Sequence, residues 1–494
     1  MIAFNLKSDK ITIIYLILHR EKRMPTLSFF SNAQFSVICI LIASFVIFGC
    51  ASQEDAGEAS AQLKGDGLHR FMVIDPGHFH AALLFNRPSY EGISPDVKIY
   101  APVDGDFNDH MARVIPFNNR AENPAQWKYH AYLADDYEAA LYRERFGDIA
   151  ILSGKNNKKI DTIKACIDSG YNVLSDKPWL IDPAKFDILK EVLDTADAKG
   201  LTAYDIMTER YEITSLLQRL LANEESVFGT VKKGSPDDPS VIKSSIHHLS
   251  KIVAGQQLKR SWWFFDTSIQ GEGLVDITTH LVDLIFWILE PETPIDYTSD
   301  VEVTKSSHWP TVMSEEQFRT ITYKDFPPQF ELDKDGNYPY YCNGNINFAL
   351  KGVNCKVEVV WNYVAPKGTG DTHYSIIKGT KAEILILQGK EQNFRPELYI
   401  QAANGVDAAE VGAVLKTYIG SLADGEFSGL EVIDEKGRWR IEVPASYRVG
   451  HEAHFGQVTS RFLEYLGGEA QPEWEKANML AKYYVTTKGL EMCR

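Results

Sequence analysis

The sequence predicts an α/β chain in which a doubly wound parallel sheet is followed by a second, α+β domain built on a mostly antiparallel sheet. Three observations carry this expectation. Between residues 71 and 204 short apolar runs alternate with helix-period stripes. Beyond residue 340 the runs alternate apolar with polar at period two. With 494 residues the chain also exceeds what one core usually fills.

The first strand is Phe71-Met72-Val73-Ile74, closed by Asp75-Pro76-Gly77, and Ala81-Ala82-Leu83-Leu84 resumes as a helix. Strand, turn and helix in that order is how a dinucleotide site begins. Further strands are expected over residues 97–100, 149–152, 172–174 and 202–204. Ile160, Ile163 and Ile167 share one helix face, and Ile188, Leu189, Val192, Leu193 and Ala196 form another stripe. In such a sheet the ligand lies beyond the carboxyl ends of the strands, which singles out Gly77, Ser153 and Asn156, with His78 and Phe79 of the first turn beside them. The turn has one glycine where a dinucleotide fingerprint has three. Asp104 comes four positions after the expected end of the second strand, which leaves NAD against NADP open.

In the second half, residues 345–350, 356–361 and 383–387 alternate in strand fashion, and one face of that sheet is expected to line a substrate cleft. In Trp262-Trp263-Phe264-Phe265 the aromatic faces suit contact with a ligand as well as ordinary core packing, and Trp263 is the candidate substrate contact. Gly370-Asp371-Thr372-His373 is a polar insertion near a strand end and adds His373. His451 and His454 are three apart, but they do not form HExxH and have no cysteine or carboxylate cluster beside them, so no metal is expected.

A formal net charge of -16 argues against a nucleic-acid partner. The six cysteines include no CxxC pair. Cys342 and Cys355 either pair after export or stand as two half-buried thiols on neighbouring strands. Phe35 to Phe48 is apolar apart from Ser36 and Ser44, follows Arg20, Lys22 and Arg23, and ends at Gly49-Cys50. This reads as a signal peptide, too short for the roughly 18 apolar residues of a spanning helix. A small residue before Cys50 resembles the lipobox of bacterial lipoproteins, with Cys50 the lipidated mature N-terminus. The expected organisation is a signal peptide over 1–50, a tether over 51–66, a nucleotide domain over 67–205 and the second domain over 206–494. The body would be lipid-anchored in the bacterial periplasm or at the cell surface.

Two motifs give the chain a family likeness. One is Asp148-Ile-Ala-Ile-Leu-Ser-Gly-Lys-Asn156 followed by Asn172-Val-Leu-Ser-Asp-Lys-Pro178, and the other is Gly271-Glu-Gly-Leu-Val-Asp276-Ile-Thr-Thr-His280. Together they resemble the Gfo/Idh/MocA oxidoreductases. The resemblance implies a Rossmann nucleotide domain, a large open sheet after it, NAD or NADP at the interface, and a sugar or sugar derivative as substrate; export to a compartment poor in free nucleotide adds the expectation that the cofactor is tightly bound. By the same resemblance Asn156, Lys177 and Pro178 match the family, and Asp176 stands where it has glutamate. Lys177 would reach both nicotinamide and substrate as polarising acid/base partner, His280 would be the general base, and Asp276 would orient them. Four positions apart, Asp276 and His280 are expected on one helix face. Arg210 falls in the segment that crosses from the nucleotide domain into the cleft. The family's sheet faces often pair, which implies a homo-oligomer. Two alternatives stand beside this reading: a glycosidase using a redox-cycling NAD, and a non-catalytic carbohydrate-binding lipoprotein that has lost its nucleotide.

Overall fold

The structure is a computed structural model that describes residues 4–7, 10–13, 66–253, 256–367 and 369–494. The apolar run 35–48 and Cys50 lie outside the described residues, and so do the expectations of signal peptide, tether and lipid anchor that rest on them. Among the described residues no helix is long and apolar enough to cross a membrane. Phe4–Lys7 pairs antiparallel with Lys10–Ile13.

From residue 71 the chain builds a six-stranded sheet. Its strands are β1 (Phe71–Ile74), β2 (Asp96–Ala101), β3 (Lys128–Leu133), β4 (Ile149–Leu152), β5 (Asn172–Asp176) and β6 (Ala203–Ile206). Their order is β3-β2-β1-β4-β5-β6, with every neighbouring pair parallel. The order reverses at β1, so the crevice beyond the strand ends opens between β1 and β4. Alternate side chains of β1 feed two separate cores: Phe71 and Val73 join one, Met72 and Ile74 the other. A strand buried on both faces has helices on both sides, which is the doubly wound arrangement the sequence predicts. The sequence reading missed β3, because its side chains are largely exposed or half-exposed and show no apolar alternation.

The second sheet has nine strands. They are β7 (Val241–Ser250), β8 (Val301–Met313), β9 (Tyr338–Leu350), β10 (Val353–Val364), β11 (Thr372–Lys378), β12 (Ala382–Leu387), β13 (Glu397–Ala402), β14 (Glu431–Asp434) and β15 (Trp439–Glu442). The order is β8-β9-β10-β7-β11-β12-β13-β15-β14, antiparallel throughout except that β10 runs parallel to β7. Cys342 lies on β9 and Cys355 on β10, both buried and both free thiols.

Three helices of the second half pack on the sheets, and one of them joins the two. Thr278–Leu289 is buried from Thr278 to Ile288, as its nearly continuous apolar sequence requires. The helix Glu473–Glu491 sends Met479 and Tyr483 into the core of the first sheet and Ala481, Val485 and Leu490 into that of the second. His451–Leu466 also returns, placing Phe455, Val458, Phe462 and Tyr465 against the first sheet.

Candidate functional site

β5 is buried along its whole length and delivers Asp176 and Lys177 at its carboxyl end. The Lys177 ammonium donates to Asp276 Oδ1 at 2.5 Å, across 99 residues of sequence. The other Asp276 oxygen accepts from Gln270 Nε2 at 3.2 Å. The glycines before Asp276 are there for space. A Cβ at Gly273 would meet the Cys342 carbonyl at 1.9 Å, and Gly271, with φ +92°, would press on Ile181 at 2.8 Å. The chain can therefore pass between β9 and Ile181 and present Asp276 to Lys177. The sequence puts Asp276 and His280 on one helix, but the helix begins at Thr278 and Asp276 sits on the turn before it. His280 remains within it.

Burial opposes ionisation of Asp276, yet the Lys177 ammonium outweighs it and holds the carboxyl below its ordinary range. Burial, and then Lys177, push His280 well below the usual imidazole value, so the ring is neutral. Its Nδ1 has no hydrogen-bond partner although it is buried. The ammonium, the carboxylate and the imidazole predicted from distant motifs thus share one buried environment.

Beside them Asp176 gathers the first turn. Its Oδ2 lies 2.9 Å from His80 Nδ1 and 3.3 Å from His78 Nδ1, and accepts from Ser153 Oγ at 2.9 Å. Burial opposes its charge, but the two imidazoles bring the carboxyl well below the ordinary value. Burial also pushes His80 down to about 3. Lys159 donates to the Asp176 carbonyl at 3.1 Å, and burial lowers it to about 8. Asn156 donates through Nδ2 to the Gln270 carbonyl at 2.8 Å, pinning the end of β4 to the segment that carries Asp276. Pro178 follows Lys177 through a cis peptide bond. Phe79 is half-buried against the first core.

At the other end of the crevice, Asp75, Asp104 and Asp106 converge on one cation. Lys155 Nζ lies 3.1, 3.6 and 3.3 Å from their respective carboxylates. Asp104 also caps the helix Gly105–Asn119, accepting from the Asp106 and Phe107 amides. Trp263 lies here. Its indole N–H donates to Asp106 Oδ2 at 2.8 Å, and its ring edge fills the space that a Cβ on Gly77 would take, at 2.6 Å.

Two expected substrate contacts are therefore placed elsewhere. Trp263 is 2% exposed and packs on the first turn, because Asp106 satisfies its one polar atom there. The Arg210 guanidinium is a fork clasping Asp283 at 2.7 Å through two nitrogens and Glu475 at 3.0 and 2.9 Å. Lys482 closes that buried network onto Asp283 and Asp205. His373 stands on β11 opposite Ser245, with its Nε2 buried and unpartnered, and is pushed by burial down to about 3. The sequence reading passed over His80, Lys155, Lys159, Asp106 and Gln270. His80 alone carried a signal, the repeat of histidine at two positions in the first turn.

A sequence profile described as "Putative oxidoreductase C terminal domain" matches residues 217–494. A crystal structure of "a putative oxidoreductase from Parabacteroides merdae" matches with 46% sequence identity and a TM-score of 0.84, over 86% of this chain and 97% of that one. The chain belongs to the Gfo/Idh/MocA oxidoreductases. Levoglucosan dehydrogenase in complex with NADH and levoglucosan shares the fold at 14% identity and a TM-score of 0.53, over 86% of this chain and 96% of the other. KijD10, a 3-ketoreductase from Actinomadura kijaniata in complex with NADP and TDP-benzene, does so at 12% and 0.51, over 85% and 96%. No curated protein matches the chain in sequence.

A nicotinamide nucleotide suits one end of this oxidoreductase's crevice better than the other. At the Lys177 end a neutral imidazole with a free nitrogen and a paired ammonium offer a proton acceptor and donor together. At the first turn the approach to Gly77 is taken by the Trp263 indole. The turn's amides are also spent internally, Gly77 N on the Asp75 carbonyl at 2.8 Å and His78 N on the Ser153 carbonyl at 3.1 Å. Three carboxylates and one ammonium there do not suit a diphosphate in this conformation.

Proposed function

We propose that this oxidoreductase acts on a hydroxyl or ketone of a sugar or sugar derivative with NAD or NADP, outside the cytoplasm and tethered through Cys50. The observation that supports it is the buried Lys177–Asp276 pair, with the buried His280 imidazole near enough to feel the charge of the ammonium. When bound, the nicotinamide would supply the hydride acceptor or donor. The chain's own part is proton handling. His280, neutral and with an unpartnered Nδ1, takes the hydroxyl proton. Lys177 polarises the substrate oxygen while Asp276 holds the ammonium in place. Working outside the cytoplasm, in a compartment poor in free nucleotide, the chain would have to retain its cofactor through many turnovers by contacts other than the crowded first turn.

The test is to denature the purified full chain and assay the supernatant for nucleotide, then to follow absorbance of added NAD and NADP with a panel of sugars and glycosides. Released NAD(H) or NADP(H), or sugar-dependent reduction, is the expected result. Its consistent absence, with no nucleotide binding on titration, sinks the proposal. That outcome favours the carbohydrate-binding reading, to which the Trp263 ring on Gly77 lends support.

A further inference from the structure

We propose that His78, His80 and Asp176 form a mononuclear binding site for a divalent first-row transition metal, with zinc as its probe. Two histidines two positions apart on the turn after β1 face the carboxylate that ends β5, and β4 between them contributes Ser153 as a brace. One nitrogen of each imidazole and an Asp176 oxygen lie within 4.8 Å of one another, and it is Nδ1 of both histidines that faces Asp176 Oδ2. A tetrahedral ion with ligands at about 2.0–2.2 Å spaces neighbouring ligand atoms by about 3.3 Å. The separations of 2.9 and 3.3 Å from Asp176 Oδ2 already approach that. Two imidazoles and one carboxylate leave a fourth position open, the ligand count of reactive rather than purely structural sites.

A second observation concerns the other oxygen of the same carboxylate. Asp176 is 2% exposed, and its Oδ1 has no hydrogen-bond partner. A buried carboxylate oxygen in that state calls for a cation. A third comes from 371 residues away, where His451 places its Nε2 3.4 Å from His80 Nε2. Metal-bound imidazoles pass their remaining N–H to an outer partner, and His451 is positioned to accept it. Access is from the His78 side, whose side chain is 20% exposed against 9% for His80 and 3% for Asp176. The other histidine cluster, His247 and His248 on Asp371, already holds Lys251 at 2.7 Å and serves as a control.

The test uses the full chain without a histidine tag, stripped by chelator and titrated with zinc by calorimetry, with cobalt as a spectroscopic reporter. About one equivalent should bind with sub-micromolar affinity, and cobalt should show the d–d absorption of a four-coordinate ion. His78→Ala should abolish binding, His451→Ala should weaken it about 10–100-fold, and His247→Ala should leave it unchanged. Thermal melts without metal establish that each variant is folded, and the partly exposed position of His78 makes that variant decisive should His80→Ala fail to fold. Absence of tight binding by the natural chain overturns the proposal, as does binding that survives His78→Ala. Neither result bears on the nucleotide-release assay, so the two readings fail separately.

Discussion

The two ends of the crevice both set a lysine against aspartate, but in opposite proportion. At the Lys177 end one ammonium meets one carboxylate, each less than a tenth exposed, behind a turn that only glycine can make. At the first turn one ammonium is shared by three carboxylates, and Lys155 is 27% exposed. The first arrangement is charge-balanced and dry, so small displacements change proton affinities strongly. The second carries surplus negative charge where a family member would receive a diphosphate, and an indole covers its one glycine. One end assembles the paired groups that the family resemblance leads one to expect, while at the other the turn is filled by an indole and surplus carboxylates.

The largest effect should follow from breaking the balanced pair. Lys177→Ala leaves Asp276 buried without its counter-ion, which costs about 3–5 kcal/mol. Turnover should fall about 10²–10⁴-fold through loss of the acid/base partner. Denaturant melts and initial rates measure the two separately. Lys177→Met, which retains bulk but not charge, should lose turnover equally. A rate within a few-fold of normal in either variant would remove Lys177 from the chemistry.

Trp263→Ala attacks the opposite end. Removing a buried indole should cost about 3–5 kcal/mol in stability. It should also uncover Gly77 and tighten nucleotide binding about tenfold, by fluorescence titration. If affinity is unchanged while stability drops, the indole packs in the core and does not compete with the nucleotide, and the contrast between the two ends loses its basis.

Acid should weaken both ends. Burial pushes His80, near Asp176, and His110, behind the first turn, each from 6.5 to about 3. Their folded values lie below the unfolded one, so the unfolded chain binds more protons between those limits. The stability they confer is complete above pH 6.5 and drains away as pH falls toward 3. Each imidazole contributes at most about 1.4 kcal/mol per pH unit. Urea melts at pH 7 and 5 should show the loss. His110→Phe should flatten the slope more simply than a change at His80, since neither ring nitrogen of His110 has a partner to forfeit. A pH-independent midpoint would mean that these rings stay solvated.

The comparison also explains what could be read in advance. Lys177, Asp276 and His280 were legible because each lies in a short motif that carries the family resemblance, and the glycines before Asp276 are demanded by local geometry. The alternation of apolar runs and stripes foretold the parallel sheet for the same local reason. Strand β3 escaped because an edge strand with exposed side chains has no period to detect. Trp263 was misplaced because its partner Asp106 is 157 residues distant, and nothing near either residue announces the contact. Arg210 resembled a substrate ligand until Glu475, 265 residues later, returned on the last helix to claim it. His80 and His451 meet only because the helix His451–Leu466 folds back on the first sheet.

The smallest expected effect is the sharpest test of surplus charge. Burial raises the Asp75 carboxyl above its ordinary value against the pull of Lys155. Of the three carboxylates it is the one on the first turn itself, with φ +41° at its backbone. Asn also tolerates positive φ, so Asp75→Asn removes charge without disturbing the turn. Lys155 then has two carboxylates to satisfy instead of three and can turn toward an incoming anion. Nucleotide affinity should rise a few-fold at low ionic strength, and the gain should shrink as salt screens a partly exposed site. Titrations at low and high salt check both parts. An equal gain at both would point to altered turn geometry, and no gain at either would mean that charge at this turn does not govern nucleotide binding.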